Sequence, residues 1–315
     1  MIIFDTETTG LDTSKNNICQ LSYIKVADFN KRKPVEIRSA KNFFFTVDYV
    51  EEGAEAVHGF SVDKLRELSG CKRFEDYASE IYEDFKDEDC LCGHNVSFDI
   101  NFLIKELDEA GYNAGEFLYK ERFCTMEEYT DILQLDYNEF YGSYKWPRLS
   151  EVVDFLSIDK NDLESKTKEV FDLDENVDFH DARLDVITTL AIYNVHKQLC
   201  GGLSFKDNDH LAFYFEKILQ LPNNSYYKGL IYTLSIDRVC REHFDEIFDM
   251  ENRCINPNCL KGNPWMTGSS RRNIILAFDL FNGFKPEERE SLTYLLGYSG
   301  EDTKYYIEAL KLRFL

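Results

Sequence analysis

Apolar positions along the chain alternate in short runs near its start and then settle into helical stripes. Ile2–Asp5, Gln20–Val26 and Asn42–Val47 read as strands, the second through alternation of Leu21, Tyr23 and either Ile24 or Val26. Three consecutive strands of a mixed sheet are therefore expected. Ser61–Leu68 and Phe74–Phe85 carry helical spacing, and Phe74, Tyr77, Ile81 and Phe85 form one stripe, read as core. A fourth strand ends at Cys92, a helix runs from Ser97 to about Ala110, and a short strand is expected around Arg122–Thr125. Leu149–Leu156 opens a further helix with Ser150 as its N-cap. Leu184, Ile187, Leu190 and Ala191 mark the buried face of a long helix reaching about Lys197. The predicted class is α/β, a mixed sheet flanked by helices.

Acids and lysines alternate between Ile158 and Phe179. This stretch reads as an inserted, exposed helix with solvated charges in preference to a lid over the site. The Gly-rich break Cys200-Gly201-Gly202-Leu203-Ser204 divides the chain into residues 1–200 and 201–315. Beyond it the pattern is helical over Leu211–Leu219, Tyr227–Phe248, Arg272–Phe281, Pro286–Leu296 and Asp302–Leu312. The aromatic density of this half suits a small helical bundle or a surface for a protein partner.

The candidate chemistry sits in three segments. The first strand breaks into Asp5-Thr6-Glu7, and a period of two sends both carboxylates to one side. Two acids so placed repel unless a cation lies between them, and hard oxygen donors suit Mg²⁺ or Mn²⁺. Asp99 falls in the first turn of the helix after Cys92-Gly93-His94-Asn95, where the helix dipole favours a carboxylate. His180 stands at or just before the start of the long helix, and Asp185 projects one turn in.

Together Asp5-x-Glu7, His94-Asn95-x-x-Phe98-Asp99 and His180-Asp181-Ala182-x-x-Asp185 resemble the three motifs of the DnaQ-like (DEDDh) 3′–5′ exonucleases. That family includes the proofreading subunit of the bacterial replicative polymerase. Val57-His58-Gly59 is similar to a fourth family segment that lies along the substrate groove. The resemblance covers roughly residues 1–200 and implies a ribonuclease H-like fold. It also implies metal-dependent hydrolysis of single-stranded 3′ ends, DNA favoured, to nucleoside 5′-monophosphates. Two ions can activate a water and steady the leaving oxygen. The implied ligands are Asp5, Glu7 and Asp185, with Asp99 holding the second ion directly or through water. His180 is the implied general base, since imidazole titrates near neutrality. Thr8, His58, Asn95 and Phe98 are the expected substrate contacts, and Leu11 occupies the place of an apolar wedge between terminal bases. His58 could equally be a turn histidine, Asn95 could shape its loop, and Leu11 could be a loop anchor.

Charge sharpens the picture. The chain of 315 residues carries a net −22. Residues 201–315 hold 14 basic and 16 acidic side chains, so residues 1–200 carry −20. Non-specific affinity for duplexes comes mainly from neutralising phosphates, so a grip on long duplexes is not expected. An enzyme that holds the last few nucleotides of one strand fits better. Nine cysteines without a compact spacing framework suit thiols in a reducing cytoplasm. No apolar stretch is long enough to span a bilayer, and no targeting segment is expected ahead of the first strand. Cys240, His243, Cys254 and Cys259 include residue types able to chelate zinc, but buried thiols are the commoner explanation. Two other functions stay open: an exoribonuclease trimming RNA 3′ ends, and a non-catalytic adaptor built on the nuclease fold. The presence of all five motif residues ranks the adaptor last.

Overall fold

The computed structural model describes residues 1–28, 32–174, 181–286, 291–297 and 300–315. The chain divides into two compact units, Met1–Thr130 with Leu135–Gly201, and Asp131–Gln134 with Gly202–Leu315. The first is built on strands β1 (Ile2–Thr8), β2 (Ile18–Ala27), β3 (Glu36–Phe44), β4 (Cys90–Gly93) and β5 (Glu121–Cys124). Their order is β3-β2-β1-β4-β5. The pairs β1/β2 and β2/β3 are antiparallel, whereas β1/β4 and β4/β5 are parallel, so the sheet is mixed. Its helices are α1 (Glu52–His58), α2 (Val62–Leu68), α3 (Ala78–Lys86), α4 (Val96–Glu109), α5 (Thr125–Leu133), α6 (Leu149–Leu156), α7 (Lys160–Phe171) and α8 (Ala182–Cys200). A small hairpin, β6 (Tyr137–Asn138) and β7 (Ser143–Tyr144), precedes α6.

Even-numbered residues of β1 face one helical layer. Ile2 and Phe4 join Leu21, Tyr23, Phe85, Leu91, Ile100 and Leu103 in one buried cluster, with Phe4 edge-on to Phe85 at 5.2 Å between centroids. The opposite face of β1 and β2 receives α8. A mixed α/β sheet between helices is thus observed as expected.

Several boundaries differ from the expectation. The third strand begins at Glu36 and ends at Phe44; Phe45 N–H still bonds the Cys19 carbonyl of β2, but Thr46 N–H leaves the ladder for the carbonyl of Lys72. The Phe74–Phe85 stripe splits into a 3₁₀ turn over Phe74–Asp76 and α3, with the Asp76 carboxylate accepting from Arg73 N–H. Ser150 does not cap α6. The residue before Leu149 is Arg148, and the Glu151 carboxylate accepts its N–H at 2.7 Å, which fixes the start two residues earlier than a cap at Ser150 would. The Ile158–Phe179 stretch contains α7 with an Asp159 cap, and its residues from 175 onward lie outside the described residues.

The second unit holds α9 (Asn208–Ile218), α10 (Ser225–Ile236), α11 (Arg238–Glu242), α12 (Phe244–Ile247), the pair β8 (Phe248–Asp249) and β9 (Cys254–Ile255), α13 (Gly268–Asn282), α14 (Leu292–Gly297) and α15 (Thr303–Phe314). Helices α9, α13 and α15 surround the buried α10. The expected single helix over Tyr227–Phe248 is broken at Asp237, whose carboxylate caps α11 through Cys240 N–H, and again at His243. The expected helix over Pro286–Leu296 is observed only from Leu292, and residues 287–290 lie outside the described residues.

Candidate active site

Strand alternation places the first two acids. On β1, Asp5 and Glu7 point away from the Phe4 cluster and stand opposite Ser22 and Gln20 on β2. Asp185, in the first turn of α8, meets them from the layer that covers this face. Carboxylate oxygens of Asp5, Glu7 and Asp185 lie within 4.8 Å of one another. Among the described residues, these are the side chains grouped closely enough to hold a metal ion.

Crowding has an electrostatic consequence. Burial, then Asp99, Asp185 and Glu7, raise the Asp5 carboxyl well above its usual range. Burial followed by Asp185 and Asp99 pushes Glu7 up to about 9. Asp185 rises to about 7 through burial and then Asp181. Every donor in the trio is a carboxylate oxygen, and the effects acting on each are burial and like charge. The group therefore has the composition of a site for a hard divalent cation.

Thr6, between the two strand acids, faces the other side and joins them to α4. Its backbone N–H and its hydroxyl both donate to Asp99 Oδ1, at 3.0 and 2.6 Å. Asp99 is buried, and burial raises it to about 7 against the lowering effect of the Thr6 bonds. It lies beside the trio rather than within it.

The start of α8 is held by Asp181, which stands in the third motif without an assigned role, and by Gln20 and Arg183, which sequence reasoning did not select. Asp181 caps the helix by accepting from Arg183 N–H, and its two oxygens take a bidentate pair from the Arg183 guanidinium at 2.9 and 2.5 Å. Gln20, fully buried on β2, donates to Asp181 Oδ1 at 2.9 Å and accepts from Ala182 N–H at 3.3 Å. Its amide also donates to Asn42 Oδ1, which accepts from the Ser22 hydroxyl as well. One glutamine thus fixes the entrance of the helix that carries Asp185. His180 lies outside the described residues.

The other expected residues fall into two groups. Leu11 is 82% exposed at a loop tip. Asn95, exposed and at φ 62°, forms the left-handed entry to α4 without a side-chain cap bond, while Phe98 is half-buried with its ring 4.9 Å from Phe102. Thr8 and His58 are buried. The Thr8 hydroxyl donates to the Gly10 carbonyl. His58 Nδ1 accepts from Phe60 N–H at 3.0 Å, which leaves the proton on Nε2, 3.3 Å from the Thr8 carbonyl. His58 therefore supports the loop after β1 from below. Gly10 in that loop has no room for a side chain, since a Cβ would lie 2.4 Å from Glu51 Cδ.

His94 does similar work beside α4. Its ring nitrogens sit 2.9 Å from the Thr125 hydroxyl and 3.1 Å from the Pro147 carbonyl, and burial lowers it to about 4, so it is neutral. Pro147 leads into a groove of about 390 Å³ between α6, α7 and α8, lined by Arg148, Leu149, Lys160, Leu163, Leu184 and Asp185 among others. The groove thus reaches Asp185, one member of the trio. In the second unit, no three of Cys240, His243, Cys254 and Cys259 lie within reach of one ion. Cys240 is buried against the Ser270 carbonyl, Cys254 is exposed, and His243 stacks on Trp265 at 4.4 Å while its Nδ1 meets Glu246. None of the nine cysteines, all among the described residues, is in a disulfide. Among the described residues, no helix is long and apolar enough to cross a membrane.

Residues 2–193 match the family described as exonuclease, and residues 201–315 match a family of unknown function, DUF6075. No curated protein matches the chain. Among solved structures, the zinc-ion-bound E. coli ExoI–ssDNA complex is similar at 19% identity and a TM-score of 0.45, covering 62% of this chain and 40% of that one. E. coli exonuclease I with a dA16 oligonucleotide gives 19% and 0.44 at the same coverages. A further exonuclease I structure gives 18% and 0.47, again over 62% and 40%. The matched part spans about two fifths of those chains.

Proposed function

The chain belongs to the exonuclease family, and from that premise we propose that it is a metal-dependent 3′–5′ exonuclease that removes nucleoside 5′-monophosphates from single-stranded nucleic-acid ends. The observation that carries this reading is the carboxylate trio of Asp5, Glu7 and Asp185, gathered from two ends of the domain with no cationic side chain among the effects on their ionisation. Mg²⁺ or Mn²⁺, two ions per site, would be held by the trio with Asp99 beside it. Bound there, they would supply Lewis acidity for forming a nucleophilic hydroxide and for stabilising charge on the phosphate and leaving oxygen.

The chain's own residues supply the rest. Thr6 fixes Asp99, and Gln20 with Asp181 fixes the helix that presents Asp185. His180, one residue before the Asp181 cap, is assigned to take the proton of the attacking water. His58, Thr8 and Gly10 shape the loop that carries Leu11 to solvent, where its side chain can wedge against a terminal base. Asn95 and Phe98 at the start of α4 complete the substrate wall. The strongly acidic charge of residues 1–200 favours a short single strand over a duplex.

Polarity and product are tested together. Two oligonucleotides, blocked by phosphorothioate linkages at the 3′ or the 5′ end, are incubated with enzyme and Mn²⁺, and the released nucleotides are separated by chromatography. The expected result is survival of the 3′-blocked strand and conversion of the other to 5′-monophosphates. Degradation of the 3′-blocked strand alone, or release of 3′-monophosphates, would refute the assignment. DNA and RNA versions rank the two sugars.

A further inference from the structure

Residues 136–146 place five aromatic side chains around one open recess: Tyr137, Phe140, Tyr141, Tyr144 and Trp146. Four of them are strongly exposed, Tyr137 at 56%, Phe140 at 87%, Tyr141 at 75% and Trp146 at 65%. Their backbone is well specified. The strands pair Tyr137 with Tyr144 and Asn138 with Ser143. Asn138 Oδ1 accepts from the N–H groups of Phe140 and Tyr141, and Gly142 closes the turn at φ 65°. The rings of Tyr137 and Tyr144 meet edge-on at 5.1 Å, and those of Phe140 and Tyr141 at 5.0 Å. A hairpin this short has no core of its own to explain so much aromatic surface in water.

Its position gives the surface a use. Trp146 is followed by Pro147, whose carbonyl is held by His94 at the entrance to α4, and by Arg148, which lines the same groove as Asp185. The hairpin is therefore rooted beside the groove that reaches Asp185. We infer that the β6–β7 hairpin is a stacking platform for bases of the strand upstream of the scissile bond. This rests on the proposed nuclease function and names how that site holds its substrate. Stacking needs no positive charge, and every base offers a ring face, so the grip it adds is tolerant of sequence. A domain carrying −20 has particular need of such a grip.

The test uses the full chain with Phe140→Ala, Tyr141→Ala and Trp146→Ala combined, beside the conservative pair Phe140→Tyr and Trp146→Phe. KM is read on a twelve-nucleotide DNA strand, and turnover on the p-nitrophenyl ester of thymidine 5′-monophosphate, which is too short to reach the hairpin. The triple variant should raise KM on the strand by roughly tenfold, the order expected from losing one stacked base, and leave the ester unaffected. The conservative pair should behave as wild type. Equal KM values for triple variant and wild type would overturn the inference while leaving the nuclease assignment intact.

A second readout does not depend on cleavage. Trp146 is one of two tryptophans, so in a Trp265→Phe background its emission reports on the hairpin alone. In EDTA, a twelve-nucleotide strand should quench it. Absence of quenching would overturn the platform, as it would if the hairpin instead served a protein partner. If wild type cuts no strand at all, the nuclease reading fails, and quenching still decides the hairpin.

Discussion

Asp5, Glu7 and Asp185 are each made harder to ionise by burial and by neighbouring carboxylates, and that tension is where the residues reveal their purpose. Asp185→Asn removes one charge from a crowded, partly buried group without changing its shape. In metal-free protein it should therefore raise the melting temperature, by about 2–4 °C if the relief is worth about 1 kcal/mol. The same change should lower turnover more than a hundredfold, beyond the 10–100-fold typical of losing a group that merely supports a ligand. Melting curves in EDTA and steady-state rates in Mn²⁺ check both halves. The strand acids were legible in sequence because a period of two is a local property, visible in Asp5-x-Glu7 alone. The supports were not. Thr6 reads as filler between two acids until Asp99, 93 positions away, is seen to accept hydrogen bonds from both its N–H and its hydroxyl. His58 matched a family segment, yet its role as the prop beneath Thr8 depends on which atoms its ring nitrogens meet.

At the level of elements, the site is a junction of β1, α4 and α8, and its precision depends on how α8 begins. Gln20 binds that beginning on both sides, accepting from Ala182 and donating to the Asp181 cap. Gln20→Leu keeps the apolar bulk on β2 and deletes both bonds. Turnover should fall roughly 10–100-fold, as for other groups that orient metal ligands, with affinity for the strand little changed. A KM-against-kcat comparison separates this from general loss of fold, and an effect confined to KM would count against it. Sequence periodicity recovered Leu149–Leu156 to the residue because its apolar face is local. It misjudged Tyr227–Phe248, where apolar spacing runs on through Asp237, although an Asp before Arg238-Val239-Cys240 is itself a cap signal. The β6–β7 hairpin escaped because two-residue strands are shorter than any periodic window.

Across the whole molecule, the site imposes a pH dependence that a cation should cancel. Asp99 and Asp185 titrate near 7 and Glu7 near 9 in the folded chain, against about 4 when unfolded. On these carboxyls the native state holds more protons than the unfolded one, so their contribution to stability falls as pH rises. His94, His196 and His210, kept neutral by burial, act oppositely below about 6.5, so the decline belongs to the range from about 7 to about 9. Melting temperatures in EDTA should show that decline, and saturating Mg²⁺ or Mn²⁺ should flatten it, since ligand binding to the native state alone adds stability. A pH profile unaffected by metal would contradict the site as drawn. The most direct test of the central claim is a ladder. A 5′-labelled single strand, as DNA and as RNA, is incubated with enzyme in Mg²⁺, Mn²⁺ or EDTA, beside Asp5→Ala. Products shortening stepwise from the 3′ end with metal, absent in EDTA and in the variant, are the predicted result. An intact strand under every metal, or equal degradation by Asp5→Ala, would contradict it.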